Sequence, residues 1–428
     1  MKTRARRVFE DARGGRLKRG IVSDGESFDV LIIGAGPAGS FAAERVARGG
    51  ARVALFDGRP AREAKACGGG VTSKALKAWP FLLEAGGRTV GEVELMSPAG
   101  ASVRLKLAEP FAIYSRRALD SHLRERARSA GAQIFDRRVS ASAEKDAEGR
   151  WVVRAKGGGE WRGRVLVAAD GANSAVARRL AGALPNADME VAFGYRTPLD
   201  EADDAPTVIA FLPGWAGYAW AFPRLDHISF GIATMQDKFD HKALDRMLWD
   251  FMVKYYRARE DGGASRGKVN GVRDGADARG VEERLRLTAE RYAARIPGLA
   301  PESFDRRRAA GADWALLGDA AGFADPVTGE GIYYALRSSE LFAEAFLAGD
   351  VSAYEMRWRA DFGRELRRAS QMRRRFYGEF FGGAFTDRMI KFARVHSGVR
   401  RTLRELVAGD QGYLDLKRTL ARRAFRPF

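Results

Sequence analysis

Residues 28–50 read FDVLIIGAGPAGSFAAERVARGG. Val30 to Ile33 is a continuous apolar run of the kind that makes a buried strand. It stops at Gly34-Ala35-Gly36-Pro37-Ala38-Gly39, after which apolar and charged residues alternate at helical spacing. Strand, Gly-rich turn and helix start, in that order, form a cradle for a pyrophosphate. Gly34 permits the tight turn, Gly36 with Ala38 beside it leaves room for the ligand, and Gly39 lets helix and strand pack closely. The helix start offers free N–H groups and a positive dipole end to the phosphates. The next strand, ARVALFD, ends at Asp57, where a carboxylate can accept hydrogen bonds from a ribose diol. This motif alone does not separate NAD from FAD.

The 428 residues leave room for two to three domains at about 150 residues each. Lys plus Arg is 73 against 55 Asp plus Glu, a formal net charge of +18 that favours anionic partners. One cysteine excludes a disulfide framework, and four scattered histidines give no metal-ligand spacing, so no metal is expected. No nucleic-acid module is visible. Residues 1–27 are basic, with no apolar stretch of a secretory signal, and read as an N-terminal extension of a cytoplasmic protein.

Further along, 90–113 alternates as antiparallel strands do, and SRRALDSHLRERARSAGA (115–132) has helical periodicity. WVVRAKGGGEWRGRVLVAADGA (151–172) predicts a hairpin leading to another buried strand, with Asp170 at its end. Residues 189–234 are strand-rich. Ala258 to Glu283 is charged and Gly-rich and predicts a loop. WALLGDAAGFADPVTGEGIYYAL (314–336) places Asp319 at a strand end, followed by a turn and a helix. The tail from Val351 is helical and Arg-rich.

Taken together, the 28–57, 165–180 and 314–336 segments resemble the three fingerprints of the FAD-dependent hydroxylase-like flavoproteins. The resemblance implies that Asp319 bonds the ribityl chain and that the Gly331 and Ile332 N–H groups meet the flavin pyrimidine. It also implies that Arg116, in the SRRALD helix start, touches FAD. Within that superfamily, CGGGVTSKAL (67–76), GYAWAFP (217–223) and DPVTGEGIYYAL (325–336) resemble the geranylgeranyl reductase family. Cys67, Gly68 and Gly70 would then belong to a loop near the flavin. Asp57 stands where that family usually has Glu. The implied fold class is α/β, a Rossmann-like FAD-binding domain interleaved with a mixed or antiparallel-sheet substrate domain. The FAD-binding domain takes 28–85, 114–188 and 301–350, the substrate domain 86–113 and 189–300, and the helical tail 351–428.

The family reduces isolated double bonds of polyprenyl chains on lipids, quinones or diphosphates. Tyr218, Trp220 and Phe222 alternate along one strand and share a face, a candidate wall for the substrate. An electron-rich face there would favour a cation-like transition state. Cys67 either relays the proton or packs; the sequence leaves both open. The expected reductant is NADPH or a reduced carrier protein. The tail segment GRELRRASQMRRRFYGEFFGGAF (363–385) mixes Arg clusters with aromatics and is a candidate for peripheral attachment to an anionic membrane. Two rival readings stand beside this one. A monooxygenase or halogenase of the same superfamily would want a lysine toward the flavin, and Lys65 and Lys74 are candidates. An electron-transfer flavoprotein would dock a quinone pool or carrier. The sequence does not give the oligomeric state.

Overall fold

The computed structural model describes residues 27–59, 65–140, 142–199, 205–235, 240–264, 276–378 and 383–424. The N-terminal extension, apart from Ser27, lies outside them.

The chain builds two sheets by turns. It opens the first with β1 (Ser27–Ile33) and β2 (Val53–Phe56), joined by α1 (Pro37–Arg48). It crosses to the second for β3 (Gly70–Val71), then α2 (Ser73–Ala78), β4 (Arg88–Met96) and β5 (Ser102–Ile113). Helix α3 (Arg116–Ser129) returns it to β6 (Gln133–Phe135), β7 (Glu144–Lys145), β8 (Trp151–Arg154) and β9 (Glu160–Ala168). After α4 (Ala175–Ala181) come β10 (Met189–Pro198), β11 (Val208–Phe211), β12 (Gly217–Pro223) and β13 (His227–Met235), all in the second sheet. Helices α5 (His241–Ala264) and α6 (Ala276–Thr288) precede β14 (Glu290–Pro297), which closes that sheet's edge. The short α7 (Pro301–Arg306), β15 (Trp314–Leu316) and α8 (Ile332–Leu347) complete the first unit.

The first sheet runs β6-β2-β1-β9-β8-β7, with β15 beside β9. Strands β6, β2, β1, β9 and β15 are mutually parallel. Parallel strands covered by helices on both faces need unbroken apolar runs, and Val30, Leu31 and Ile32 are fully buried. The expected hairpin and buried strand are one element: β9 pairs antiparallel with β8 through its first half and parallel with β15 through its second.

The second sheet runs β14-β10-β13-β12-β11-β4-β5-β3. Its pairs are antiparallel except β11 with β4. Alternation on β12 splits its residues. Ala219 and Ala221 face a core with Leu244, Leu248 and Met252 of α5, while Tyr218, Trp220 and Phe222 face the other way. Of the segment expected to be a loop, Ala258 to Glu283, the described residues are helical: α5 runs to Ala264 and α6 begins at Ala276, while 265–275 lie outside the described residues. The apolar spacing of Leu244, Leu248 and Met252, and of Val281 and Leu285, docks both helices under the sheet and outweighs the local Gly content. Gly70 and Val71, expected in the first domain, pair with Ile113 and Ala112 at the second sheet's edge.

The described residues of the tail include the α-helices α9 (Ala353–Trp358), α10 (Arg364–Phe376), α11 (Phe385–Val395), α12 (Ser397–Ala408) and α13 (Leu416–Ala424), with a π-helical turn at Arg359–Gly363 between α9 and α10. They are packed rather than free. Ile390 and Leu403 join Val93 and Leu105 in one core, and Ala369, Met372, Tyr413 and Leu416 join Val327 in another. Arg373, expected in a basic membrane face, is buried; it reaches the Gly298 carbonyl at 2.7 Å and Glu190 at 3.4 Å. Arg367 pairs with Asp305 at 2.8 Å. No helix among the described residues is long and apolar enough to cross a membrane.

Candidate functional site

Where β1 ends, Gly34 adopts φ +105°, a left-handed conformation that suits glycine. A Cβ there would sit 2.3 Å from the Ala169 carbonyl, and one at Gly39 would sit 1.8 Å from the Gly34 carbonyl. Gly39 therefore packs α1 onto the turn and does not line the cavity. Gly36 does line it: a Cβ there would meet only Arg116, at 3.7 Å. The backbone is thus bare at the N-terminus of α1, which fits an approaching pyrophosphate.

The cavity measures about 1210 Å³ and gathers residues from across the chain. Gly34, Gly36, Ala38, Asp57, Cys67, Gly68, Gly70, Arg116, Asp170, Tyr218, Trp220, Phe222, Asp319, Gly331 and Ile332 all line it. Asp57 accepts from Arg124 at 2.9 Å and from the Arg59 N–H at 3.0 Å, which leaves lone pairs for a further donor. Arg116 is buried and Arg117 exposed, so the fold distinguishes the two adjacent arginines. Asp120 holds Arg116 through a two-bond fork at 3.0 and 3.1 Å. Burial opposes the Arg116 charge, but Asp120 and the nearby Cys67 more than offset it and keep the guanidinium protonated. Asp319 accepts from Lys65 at 2.9 Å, and its other oxygen lies beside Gly331, where α8 begins. Lys74 also lines the cavity, its ammonium 3.9 Å from the centre of the Tyr333 ring.

The aromatic face on β12 is continuous. Ring centroids are 5.8 Å apart for Tyr218 and Trp220, and 6.3 Å for Trp220 and Phe222. Trp220 lies against Gly231 of β13, where a Cβ would approach its ring to 2.0 Å. Phe222 faces Gly68 and Gly70 of the cysteine loop. That loop is shaped by Gly69 at φ +84°, where a Cβ would be 2.2 Å from the Tyr114 carbonyl. The Gly69 N–H donates to the Cys67 sulfur at 3.3 Å, so Cys67 is half-buried and turned into the loop.

Several residues here carry no strong sequence signal. Arg224, just past GYAWAFP, donates to the Cys67 and Gly68 carbonyls at 2.6 and 3.0 Å. Tyr292 on β14 donates to the Phe230 carbonyl at 2.8 Å and lines the cavity. Thr72 donates to Glu330 at 2.5 Å. Burial pushes the Glu330 carboxyl up to about 7; the Thr72 hydrogen bond opposes this and Asp325 adds to it. Glu330 lies inside the quoted DPVTGEGI motif, where spacing alone gives it no role. The tail also reaches the site: Tyr377 donates to the Val327 carbonyl at 2.5 Å and Tyr413 to Asp325 at 3.2 Å. Tyr218 donates to the Thr328 carbonyl, which ties β12 to the same turn.

Comparison with known proteins agrees with this geometry. Residues 27–195 match the FAD binding domain family. The geranylgeranyl diphosphate reductase of Rhodobacter capsulatus is 30% identical over 345 residues, 75% of each chain. The protein belongs to the geranylgeranyl reductase family. It is an FAD-dependent oxidoreductase. Other relatives differ in the compound named. The chloroplastic geranylgeranyl diphosphate reductase of Oryza sativa subsp. japonica is 29% identical over 80% of this chain and 71% of its own. The menaquinone reductase of Mycobacterium tuberculosis is 28% identical over 76% of this chain and 78% of its own. Among solved structures, a geranylgeranyl bacteriochlorophyll reductase-like protein from Thermoplasma acidophilum shares the fold with a TM-score of 0.66 and 21% identity. It covers 93% of this chain and 99% of its own. The flavin-dependent brominase Bmp2 shares it with a TM-score of 0.64 and 18% identity, over 93% and 99%.

Proposed function

We propose that this geranylgeranyl reductase family member saturates carbon–carbon double bonds in a polyprenyl chain carried by a lipid, quinone or diphosphate. The observation that carries the reading is the aromatic face of Tyr218, Trp220 and Phe222 on the cavity that also takes in the starts of α1 and α8. The relatives named for a diphosphate and for menaquinone differ in head group, and a prenyl chain is what such compounds have in common.

In this reading Gly34, Gly36, Ala38, Asp57, Arg116, Asp170, Asp319, Gly331 and Ile332 hold FAD. Reduced FAD supplies a hydride. The second alkene carbon needs a proton, and two groups of the wall can hold one: the Cys67 thiol and the Glu330 carboxyl. Burial raises the Glu330 carboxyl to about 7, so it keeps its proton closer to neutral pH than an exposed glutamate does. Tyr218 and Trp220 offer ring faces to the positive charge that develops on the alkene. Phe222 and the glycines of the cysteine loop exclude water beside them. NADPH or a reduced carrier protein renews the reducing equivalents.

Peripheral membrane attachment would bring the enzyme to such substrates. Helix α11 supports it, because Phe392 and Val395 are 60% and 78% exposed one turn apart, beside exposed Lys391 and Arg394. Arg374 and Arg375 of α10 are exposed as well.

The test is anaerobic incubation of the chemically reduced holoenzyme with geranylgeranyl diphosphate and with menaquinone, read by mass spectrometry. A product heavier by one hydrogen molecule per saturated bond supports the reading. Replacing Trp220 by Ala should abolish most turnover with FAD still bound.

A further inference from the structure

A second, smaller cavity lies behind one end of the large one. It measures about 20 Å³, room for roughly one water-sized sphere. Its lining is apolar apart from Thr386. The two cavities share five lining residues: Leu95, Phe211, Phe376, Leu403 and Leu406. The partition between them is therefore made of side chains. Phe211 and Phe376 meet edge to face, with centroids 5.8 Å apart. Phe211, Phe376 and Leu406 are only partly buried, so they have open space beside them.

The far wall belongs to the tail. Met389 and Ile390 of α11 and Leu416 and Leu420 of α13 line the small cavity but not the large one. Atoms around a void lose dispersion contacts on that side, so filling it with hydrocarbon is favourable. Side chains change rotamer readily compared with backbone, so turning the Phe376 ring is a low-barrier way to join the two spaces.

We propose that the small cavity, joined to the space that the Phe376 ring vacates when it turns, is a terminal pocket for the distal end of a polyprenyl chain, with Phe376 as the gate that sets the longest chain accepted. This rests on the polyprenyl reading of the large cavity. That cavity's end at Leu95, Phe211, Phe376, Leu403 and Leu406 is apolar and suits a hydrocarbon terminus, not a head group. A chain that ends at Phe376 is fully sheltered. One isoprene unit more must displace the ring or leave its last unit in water.

Equilibrium binding of prenyl alcohols with three to six isoprene units to the FAD-reconstituted holoenzyme tests this without requiring turnover. In Phe376→Ala the affinity for the first alcohol too long for wild type, relative to the one before it, should rise by about two to three orders of magnitude, as expected for burying the five carbons of one more unit. Leu420→Phe fills the pocket from the far side, so the double variant should return to the wild-type ratio. Phe376→Leu is a milder change in the same direction if the Ala variant folds poorly, judged by flavin occupancy and melting temperature. An unchanged length ratio in folded variants overturns the gate and leaves the polyprenyl reading intact. Failure of every alcohol to bind wild type overturns both. A shifted ratio in an enzyme that reduces no polyprenyl compound supports the pocket and rejects the reductase reading.

Discussion

The Thr72 hydroxyl donates to the Glu330 carboxylate at 2.5 Å and so joins the cysteine loop to the start of α8. One hydrogen bond thus links two segments 258 residues apart on the cavity wall. Gly409 of the tail packs against the same threonine, 3.3 Å from its hydroxyl oxygen when measured from a Cβ built on the glycine. Loop, helix start and tail therefore meet at Thr72.

Glu330 makes stability depend on pH. Its carboxyl is raised from 4.5 to about 7 in the fold. Between those values the native state keeps a proton that the unfolded chain has released, so this contribution is full below 4.5 and lost as pH rises to about 7. Glu330→Gln keeps an acceptor for Thr72 and removes the titration. The variant should gain about 1–2 kcal/mol over wild type between acid and neutral pH, since one side of the carboxyl faces the cavity. Urea unfolding of both proteins across that range measures it. Parallel pH profiles would refute it.

Gly231 sets the plane of Trp220. A methyl group at 231 cannot coexist with the ring in its present place. Gly231→Ala should tilt Trp220 and cost about 1–3 kcal/mol. Turnover should fall with FAD occupancy unchanged, as read from the flavin absorbance of purified protein.

Arg373 and its neighbours on α10 should behave oppositely. Arg373→Ala strips the partner from buried Glu190, whose carboxyl burial pushes up to about 7 despite the arginine. The loss should be about 3–5 kcal/mol in chemical denaturation. Reversing the exposed Arg374 and Arg375 should leave stability nearly unchanged and reduce cosedimentation with anionic liposomes. That binding should weaken with salt, because surface charges are screened over about 8 Å at physiological ionic strength. Equal binding to neutral and anionic vesicles would reject the electrostatic attachment.

Asp319→Ala should lower flavin occupancy. In the absence of the carboxylate both Lys65 and the expected ribityl hydroxyls lose a partner, at a cost of about 1–3 kcal/mol. Flavin retained through size-exclusion chromatography at wild-type levels would exclude this role.

Much of this arrangement was legible in sequence because its signals are local. The β1 run, the glycine turn and the α1 periodicity fall within one short stretch, and the alternation of Tyr218, Trp220 and Phe222 fixes their common face without knowledge of the partner strands. What stayed hidden depends on distant partners. Arg373 reads as one charge in a basic run until Glu190, 183 residues away, is seen beside it. Arg224 holds the cysteine loop across 157 residues, and nothing in its neighbourhood announces that contact. The Gly-rich composition around 258–283 predicts a loop, but docking of Val281 and Leu285 beneath the sheet decides for helix at its end. The tail was legible as helices and not as a cavity wall, because Phe376, Leu403 and Leu406 acquire that role only by packing.

The most direct test of polyprenyl reduction is the mass of the product formed when reduced holoenzyme meets geranylgeranyl diphosphate or menaquinone without oxygen. The expected result is a product heavier by one hydrogen molecule per bond, formed anaerobically, largely lost in Trp220→Ala and slowed when the proton-holding group, Cys67 or Glu330, is replaced. A product that appears only with oxygen and carries an added oxygen atom or a halogen, with no anaerobic turnover, would contradict it.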